Sequence, residues 1–160
     1  MTIPRCVFAC VVLGGFLTLS FSARADGLLN AIGACGEPCV ISRNLGGIAS
    51  EYEAAAHAVL GGARKQIIIS GTCASACALF ADKVRNVVCV TPRAVFYFHK
   101  ATLWSAGPGS EVIRRFAPQQ SPDIQAWVMA RGGYPAGDRL RDMLAMPAAE
   151  SHKFFRQCRA

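Results

Sequence analysis

The chain has 160 residues, of which 17 are Lys or Arg and 10 are Asp or Glu, so its formal net charge is +7. This length suits one domain of ordinary size and excludes a second full domain. Hydrophobic residues make up 52% of the chain and charged residues 17%, a balance that excludes an intrinsically disordered protein. The basic excess is mild and contains no run of Lys or Arg, so we expect no nucleic-acid partner.

The first 25 residues have the pattern of a secretory signal peptide. Arg5 supplies a positive start, Cys6–Phe21 is almost entirely apolar, and Ala23–Ala25 provides small residues at a cleavage site. A membrane anchor is the alternative, but the apolar stretch is shorter than the ~20 residues that a bilayer span requires. We therefore predict cleavage before Asp26, a single domain over residues 26–160, and a periplasmic or secreted protein without a stable membrane anchor.

Six cysteines remain after removal of that segment. An even number in an exported chain favours disulfides, because no thiol-reducing pool opposes them there. Zinc is the alternative, since two pairs have a C-x3-C spacing that can supply ligands, but the oxidising compartment leads us to expect no metal and no cofactor. The connectivity stays open at this point. The candidates are Cys35, Cys39, Cys73, Cys77, Cys89 and Cys158.

Helices and strands alternate through the first part of the predicted domain. Residues 26–42 are typical of a loop, and a helix is predicted over Glu51–Leu60 because Ser50 can cap it. Three consecutive isoleucines in Lys65–Ser70 predict a strand that is buried on both faces. The next predicted elements are a helix over Thr72–Asp82 and strands over Asn86–Val90 and Ala94–Phe98.

The last third of the chain is predicted to be a loop followed by helices. Ala101–Ser121 is rich in Gly, Pro and Ser, which is typical of a long loop. Helices are predicted over Pro122–Ala130, Gly137–Ala145 and Ala148–Gln157, each near a Pro or Gly boundary. The whole pattern predicts an α/β layered fold with a short N-terminal part and a helical C-terminal region.

A serine lies where the isoleucine-rich strand is expected to give way to a helix. The segment Gly71–Cys77 (GTCASAC) places Ser75 at that junction. Backbone amides at a helix N-terminus can stabilise an oxyanion, and the small flanking residues Ala74 and Ala76 leave room for a substrate carbonyl. The pattern differs from the G-x-S-x-G elbow, and a plain helix cap is the alternative role for this serine.

His99 follows the strand predicted over Ala94–Phe98. If that strand is parallel to the isoleucine-rich strand, its end lies beside the serine turn, where an imidazole could act as general base. A structural or solvated histidine is the alternative. We assign that role to His57 and His152, which have no comparable setting.

Two motifs together resemble the Clp protease and crotonase superfamily. C-A-S-A-C at 73–77 and T-P-R-A-V-F-Y-F-H at 91–99 have about the right gap, and Gly46–Gly47 precede them as in that family. The likeness is greatest to small exported bacterial proteins related to the Clp protease proteolytic subunit, and it covers residues 40–101 well. It implies a Clp/crotonase-like core, here with a short N-terminal part because only about twenty residues separate Asp26 from the two glycines.

The same resemblance implies a serine hydrolase, with peptides or small acyl compounds as substrates. Ser75 matches the nucleophile and His99 the general base. Gly47 and Ala76 match the positions whose backbone amides form the oxyanion hole. The resemblance leaves open whether the protein forms an oligomer.

In that family an aspartate from the C-terminal region orients the histidine. Asp142 lies in the matching segment, with Asp123 and Asp138 as the alternatives. An exposed carboxylate paired with Arg139 or Arg141 is the structural alternative for Asp142.

Two other functions remain open. One is a non-catalytic, disulfide-stabilised periplasmic binding or interaction protein on the same fold. The other is a catalytic thiol, with Cys73 or Cys77 acting alongside the histidine.

If the cysteines are oxidised, bridges at these two positions would pin the serine turn, and a bridge from Cys77 to Cys89 would tie its helix to the next strand. Trp104 and Tyr97 are candidates for the wall of a substrate pocket.

Overall fold

The structure is a computed structural model that describes residues 35–63, 66–104 and 112–159. The predicted signal peptide and its cleavage site lie outside the described residues. Within those ranges, no helix combines the length and apolar character needed to cross a bilayer. The strands are β1 (Cys39–Asn44), β2 (Ile67–Ala74), β3 (Val88–Val90), β4 (Val95–Phe98), β5 (Ala101–Trp104), β6 (Val112–Phe116), β7 (Leu144–Pro147) and β8 (Arg156–Gln157). The helices are α1 (Ala49–Ala58), α2 (Ala76–Lys83), α3 (Pro122–Met129) and α4 (Ala148–Ser151), with a π-helical turn at Val59–Ala63 and a 3-10 turn at Leu140–Asp142.

β2 is the central strand of a six-stranded sheet. β1 runs parallel to it along one edge. The other edge is shared, because β3 pairs with Ile67–Ile69 and β4 pairs with Thr72–Ala74, both in parallel. β8 extends the sheet beside β3, and β7 lies antiparallel to β4. The C-terminal end of β2 is therefore held between β1 and β4, so the residues that follow β2 and β4 meet at one edge of the sheet.

The core lies between this sheet and the helices. Residues Ala76–Asp82 of α2 are all buried, and their small side chains let α1 approach closely. Phe80 and Phe96 are fully buried, and burial of a side chain of this size stabilises the fold by about 1.5–3 kcal/mol. The ring of Phe96 stacks on Phe155 with centroids 4.7 Å apart, which fastens the end of the chain to β4.

An ionic network joins the end of α2 to the start of α3. The buried Asp82 carboxylate accepts hydrogen bonds from the Ser121 amide (2.7 Å) and from Arg85. Arg85 also donates to Asp123 over 2.6 Å, and this bond holds the pKa of Asp123 well below its usual range. Asp123 therefore serves to anchor α3.

The described residues contain three disulfides, as the cysteine count predicted: Cys35–Cys39, Cys73–Cys77 and Cys89–Cys158. The first two close short loops, and the second spans the serine turn, which confirms that its cysteines pin that turn. The bridge considered between Cys77 and Cys89 is not formed. Cys89 instead ties β3 to the residue after β8, because the parallel pairing of these two strands brings Cys158 beside it.

The α/β class is confirmed, but two segments predicted as loops contain strands. Cys39–Asn44 forms β1 because Cys39 and Ile41 face the core while Val40 and Ser42 face solvent, an alternation typical of a strand with one buried face. The segment 101–121 contains an antiparallel hairpin of β5 and β6. The helix predicted over Thr72–Asp82 begins only at Ala76, because β2 continues to Ala74 between two partner strands.

The expected helical C-terminal region is only partly correct. The helix over Pro122–Ala130 is confirmed as α3. The helix predicted over Gly137–Ala145 is wrong, because its second half leads into β7, which completes the free edge of β4. The helix predicted over Ala148–Gln157 ends at Ser151, since the following residues pair with β3 as β8. In both cases strand pairing outweighs local helix propensity.

Candidate active site

Ser75 occupies a sharp turn between β2 and α2. Its backbone angles are φ 55° and ψ −121°, and among the described residues it is the only non-glycine with positive φ. A backbone in this region costs about 1–3 kcal/mol and persists only where the surroundings impose it. Here the Ser75 amide donates to the Tyr97 carbonyl over 2.9 Å, and the Cys73–Cys77 disulfide closes around the turn. The fold therefore holds the serine in a fixed, strained orientation.

The chain after β1 lies tightly against this turn. Gly46 has φ 86°, and a Cβ atom at this position would lie 2.7 Å from both the Ala74 carbonyl oxygen and Ser75 Cβ. Only glycine fits there, both for its backbone angle and for its close approach. Asn44 holds the segment in place, since its Oδ1 accepts hydrogen bonds from the Gly46 amide (2.9 Å) and the Tyr52 hydroxyl (2.7 Å).

His99 lies beside the serine because β4 is parallel to β2 and pairs with its last residues. The distance from His99 Nε2 to Ser75 Oγ is 2.7 Å, which is a hydrogen bond. Burial lowers the pKa of His99, an effect that the Asp138 carboxylate opposes and the Arg115 guanidinium reinforces. The imidazole is therefore neutral at neutral pH, the state in which Nε2 can accept the serine proton.

The other ring nitrogen of His99 has no partner among the described residues. Nδ1 is buried, and it must carry a proton when Nε2 accepts one from the hydroxyl. A buried N–H group without an acceptor costs about 1–3 kcal/mol. The structure does not bring Asp142 to this nitrogen, since that side chain is exposed on the 3-10 turn and lies 3.7 Å from Arg141. Asp123 does not reach Nδ1 either, because its carboxylate is paired with Arg85.

A cavity of about 410 Å³ opens at the serine and histidine, within the size range of small-ligand sites. Gly47 and Ala76, the two residues expected to supply oxyanion-hole amides, line it, and so does Trp104, whereas Tyr97 does not. The remaining wall is mainly apolar, with three polar side chains. Its further members are Ile48, Ala49, Leu79, Phe98, Ala101, Thr102, Pro118, Gln120 and Asp138.

Two polar residues of the wall carried little or no signal in the sequence. Gln120 is buried, and its Oε1 accepts a hydrogen bond from the Tyr134 hydroxyl over 2.8 Å. Burial, with the Asp82 carboxylate in support, raises the pKa of Tyr134 to about 12, so this hydroxyl keeps its proton. Asp138 was only a minor alternative for the orienting acid. Gln120 and Asp138 belong to segments that are distant from Ser75 and His99 in the chain, so no local sequence pattern reveals that they line the cavity.

The thiol alternative is wrong. Cys73 and Cys77 are bonded to each other, and both are fully buried, so neither presents a thiolate to His99. Nor do the described residues contain a cluster of three or more His, Cys, Asp or Glu side chains that could hold a metal ion.

The structure thus brings together Ser75, His99, Gly47 and Ala76 around one cavity and leaves Asp142 and Asp123 outside it. This arrangement has the parts needed for nucleophilic attack by a serine: a hydroxyl, a neutral imidazole and a helix N-terminus. Comparison of the chain with protein-family models, curated proteins and solved structures gives no match.

Proposed function

We propose that this protein is an exported serine hydrolase that acts on peptides or small acyl compounds. The observation that carries the proposal is the 2.7 Å hydrogen bond between Ser75 Oγ and His99 Nε2 at the wall of a cavity. This distance lies within the range that proton transfer to a general base requires. The three disulfides suit an oxidising compartment, and we propose the periplasm or the extracellular space.

In the proposed reaction Ser75 Oγ attacks the substrate carbonyl carbon while His99 Nε2 takes the hydroxyl proton. The tetrahedral intermediate then collapses, the bond to the leaving group breaks, and the imidazolium returns the proton to that group. Water, deprotonated by the same imidazole, hydrolyses the acyl-enzyme and restores the serine. The strained turn contributes by holding Oγ in place before the substrate arrives, which lowers the entropic cost of reaching the transition state.

The developing oxyanion would be stabilised by backbone amides. The Ala76 N–H belongs to the first residue of α2, where a helix offers no internal acceptor. The Gly47 N–H is the second proposed donor, and the close contact of Gly46 with the serine turn keeps this segment near Oγ. Loss of one such donor costs about 10²–10³-fold in rate. The proposal takes the core as Clp/crotonase-like, supported by the order of parallel strands and helices around the two motifs.

We expect a fluorophosphonate probe to label the wild-type protein and to leave the Ser75→Ala variant unlabelled. The probe reports the reactivity of the serine directly, without knowledge of the substrate. Ser42→Ala, at an exposed position of β1, is the matched control and should label like the wild type. Equal labelling of the wild type and Ser75→Ala, or none in either, would rule out the proposal.

Labelling should persist into mildly acidic solution. Only neutral His99 can accept the serine proton, and the pKa of His99 lies below its ordinary 6.5 because the ring is buried. As the pH falls, protonation therefore stops the reaction at a lower pH than for a solvated histidine. The labelling rate, measured against pH, should reach half of its plateau value below pH 6.5. A midpoint above that value would show that another group limits the reaction.

A non-catalytic binding protein on the same fold is the second candidate. It is favoured by Nδ1 of His99, which has no partner among the described residues, so none of their carboxylates fixes the tautomer that a base requires. This function predicts a serine that resists the probe, together with an apolar ligand that occupies the cavity and quenches Trp104 fluorescence.

A further inference from the structure

Asp138 places a carboxylate in the wall of the cavity that contains Ser75 and His99. The residue is exposed, and among the described residues it makes no hydrogen bond or ion pair. Its charge interacts with the imidazole through space without reaching Nδ1. A carboxylate without such a partner among the described residues remains available to a ligand.

Asp138 is also the only residue of the described wall that carries a formal charge at neutral pH, since the neighbouring His99 is neutral. The nearby Arg115 is not part of the wall, and its guanidinium donates to the Ala136 carbonyl. Trp104 also lines the cavity, and its side chain is 53% exposed. An aromatic face and a carboxylate both attract cations.

We propose that this cavity selects substrates with a cationic group on a short apolar stem beside the scissile carbonyl, as in a lysine or arginine side chain. The proposal rests on the hydrolase function proposed above. The apolar wall would cover the stem, and the Asp138 carboxylate would pair with the cationic head. Because the described part of the wall carries no other charge, an anionic group would enter there without a partner and opposite a like charge.

Two phosphonate diphenyl esters test this preference. One carries the lysine side chain, and the other carries the norleucine side chain, which has the same stem without the ammonium group. Ser75 Oγ attacks phosphorus, phenoxide leaves, and His99 takes the hydroxyl proton, so both probes report the same bond formation. We expect the lysine-type probe to label the wild type about 10-fold faster than the norleucine-type probe. The ratio should fall as salt is added, because ions screen the interaction.

Asp138→Asn should lower the ratio of the two rates to about one. Glu53→Gln is the matched control. It removes a carboxylate of α1 that pairs with Lys83 of α2, and it should keep the wild-type ratio. Asp138→Lys should invert the preference. Equal rates with both probes in the wild type, or an unchanged ratio in Asp138→Asn, would overturn the preference while leaving the hydrolase proposal intact. No labelling by either probe would overturn the hydrolase proposal, and the preference with it.

Discussion

His99→Ala is expected to slow the labelling of Ser75 by a fluorophosphonate about 10³-fold at neutral pH. The hydroxyl of serine is a weak nucleophile until a base takes its proton, and Nε2 of His99 is the group within 2.7 Å of Oγ. The side chain is half-buried and makes no hydrogen bond through Nδ1 to another described residue, so its removal should leave the fold intact. The measurement is the second-order rate constant for labelling.

His57→Ala is the matched control, because His57 is exposed on α1 and does not line the cavity. It should label at the wild-type rate. Added imidazole should restore part of the lost rate in His99→Ala, since a free base can enter the space that the side chain leaves. A loss smaller than tenfold in His99→Ala would mean that the imidazole is not the base. A large loss without rescue, together with a changed circular dichroism spectrum, would indicate a structural role.

Removal of the Cys89–Cys158 disulfide is expected to lower the free energy of unfolding by about 4 kcal/mol in the chain-entropy treatment of a loop this long. The two cysteines are 69 positions apart, so the bridge restricts a large part of the unfolded chain. In the folded state it holds β8 against β3 and lies close in sequence to Phe155, which stacks on Phe96. The double variant Cys89→Ala/Cys158→Ala, unfolded in urea without reductant, measures the effect.

The double variant Cys35→Ala/Cys39→Ala is the matched control. Its bridge has a sequence separation of only 4, and the same treatment gives a loss of about 2 kcal/mol. Each variant removes both cysteines of one bridge, so neither leaves a described cysteine without its partner. Equal losses in the two variants, or a larger loss in the control, would contradict loop length as the origin of the difference.

The serine and histidine could be predicted because each depends on a short stretch of chain. The isoleucine run identified the buried strand, and the small residues after it identified the turn to a helix. A strand that ends in F-H indicated a second strand end at the same edge. Parallel pairing of β2 and β4 then brings the two side chains together by the ordinary geometry of a sheet. Two adjacent glycines likewise indicated a permissive turn, but the close approach of Gly46 to the serine turn is a tertiary contact.

The strands at the borders of the sheet could not be predicted in this way. β7 and β8 form because β4 and β3 offer them unpaired backbone groups, and their own residues do not favour strands strongly. The position of the aspartates could not be predicted from the sequence either. Asp138 and Asp142 are four residues apart, yet only the first lines the cavity, while the second pairs with Arg141 on the exposed 3-10 turn.

The composition of the chain and its local motifs by themselves determined an α/β class, disulfide formation and the serine–histidine pair, because these depend on residue types and on spacings within short segments. Only the tertiary structure decided which cysteines pair, where the last strands lie and which carboxylate lines the cavity beside Ser75. Those features depend on contacts between residues far apart in the chain, such as Cys89 with Cys158, and the free energy of such contacts is not encoded in either segment alone.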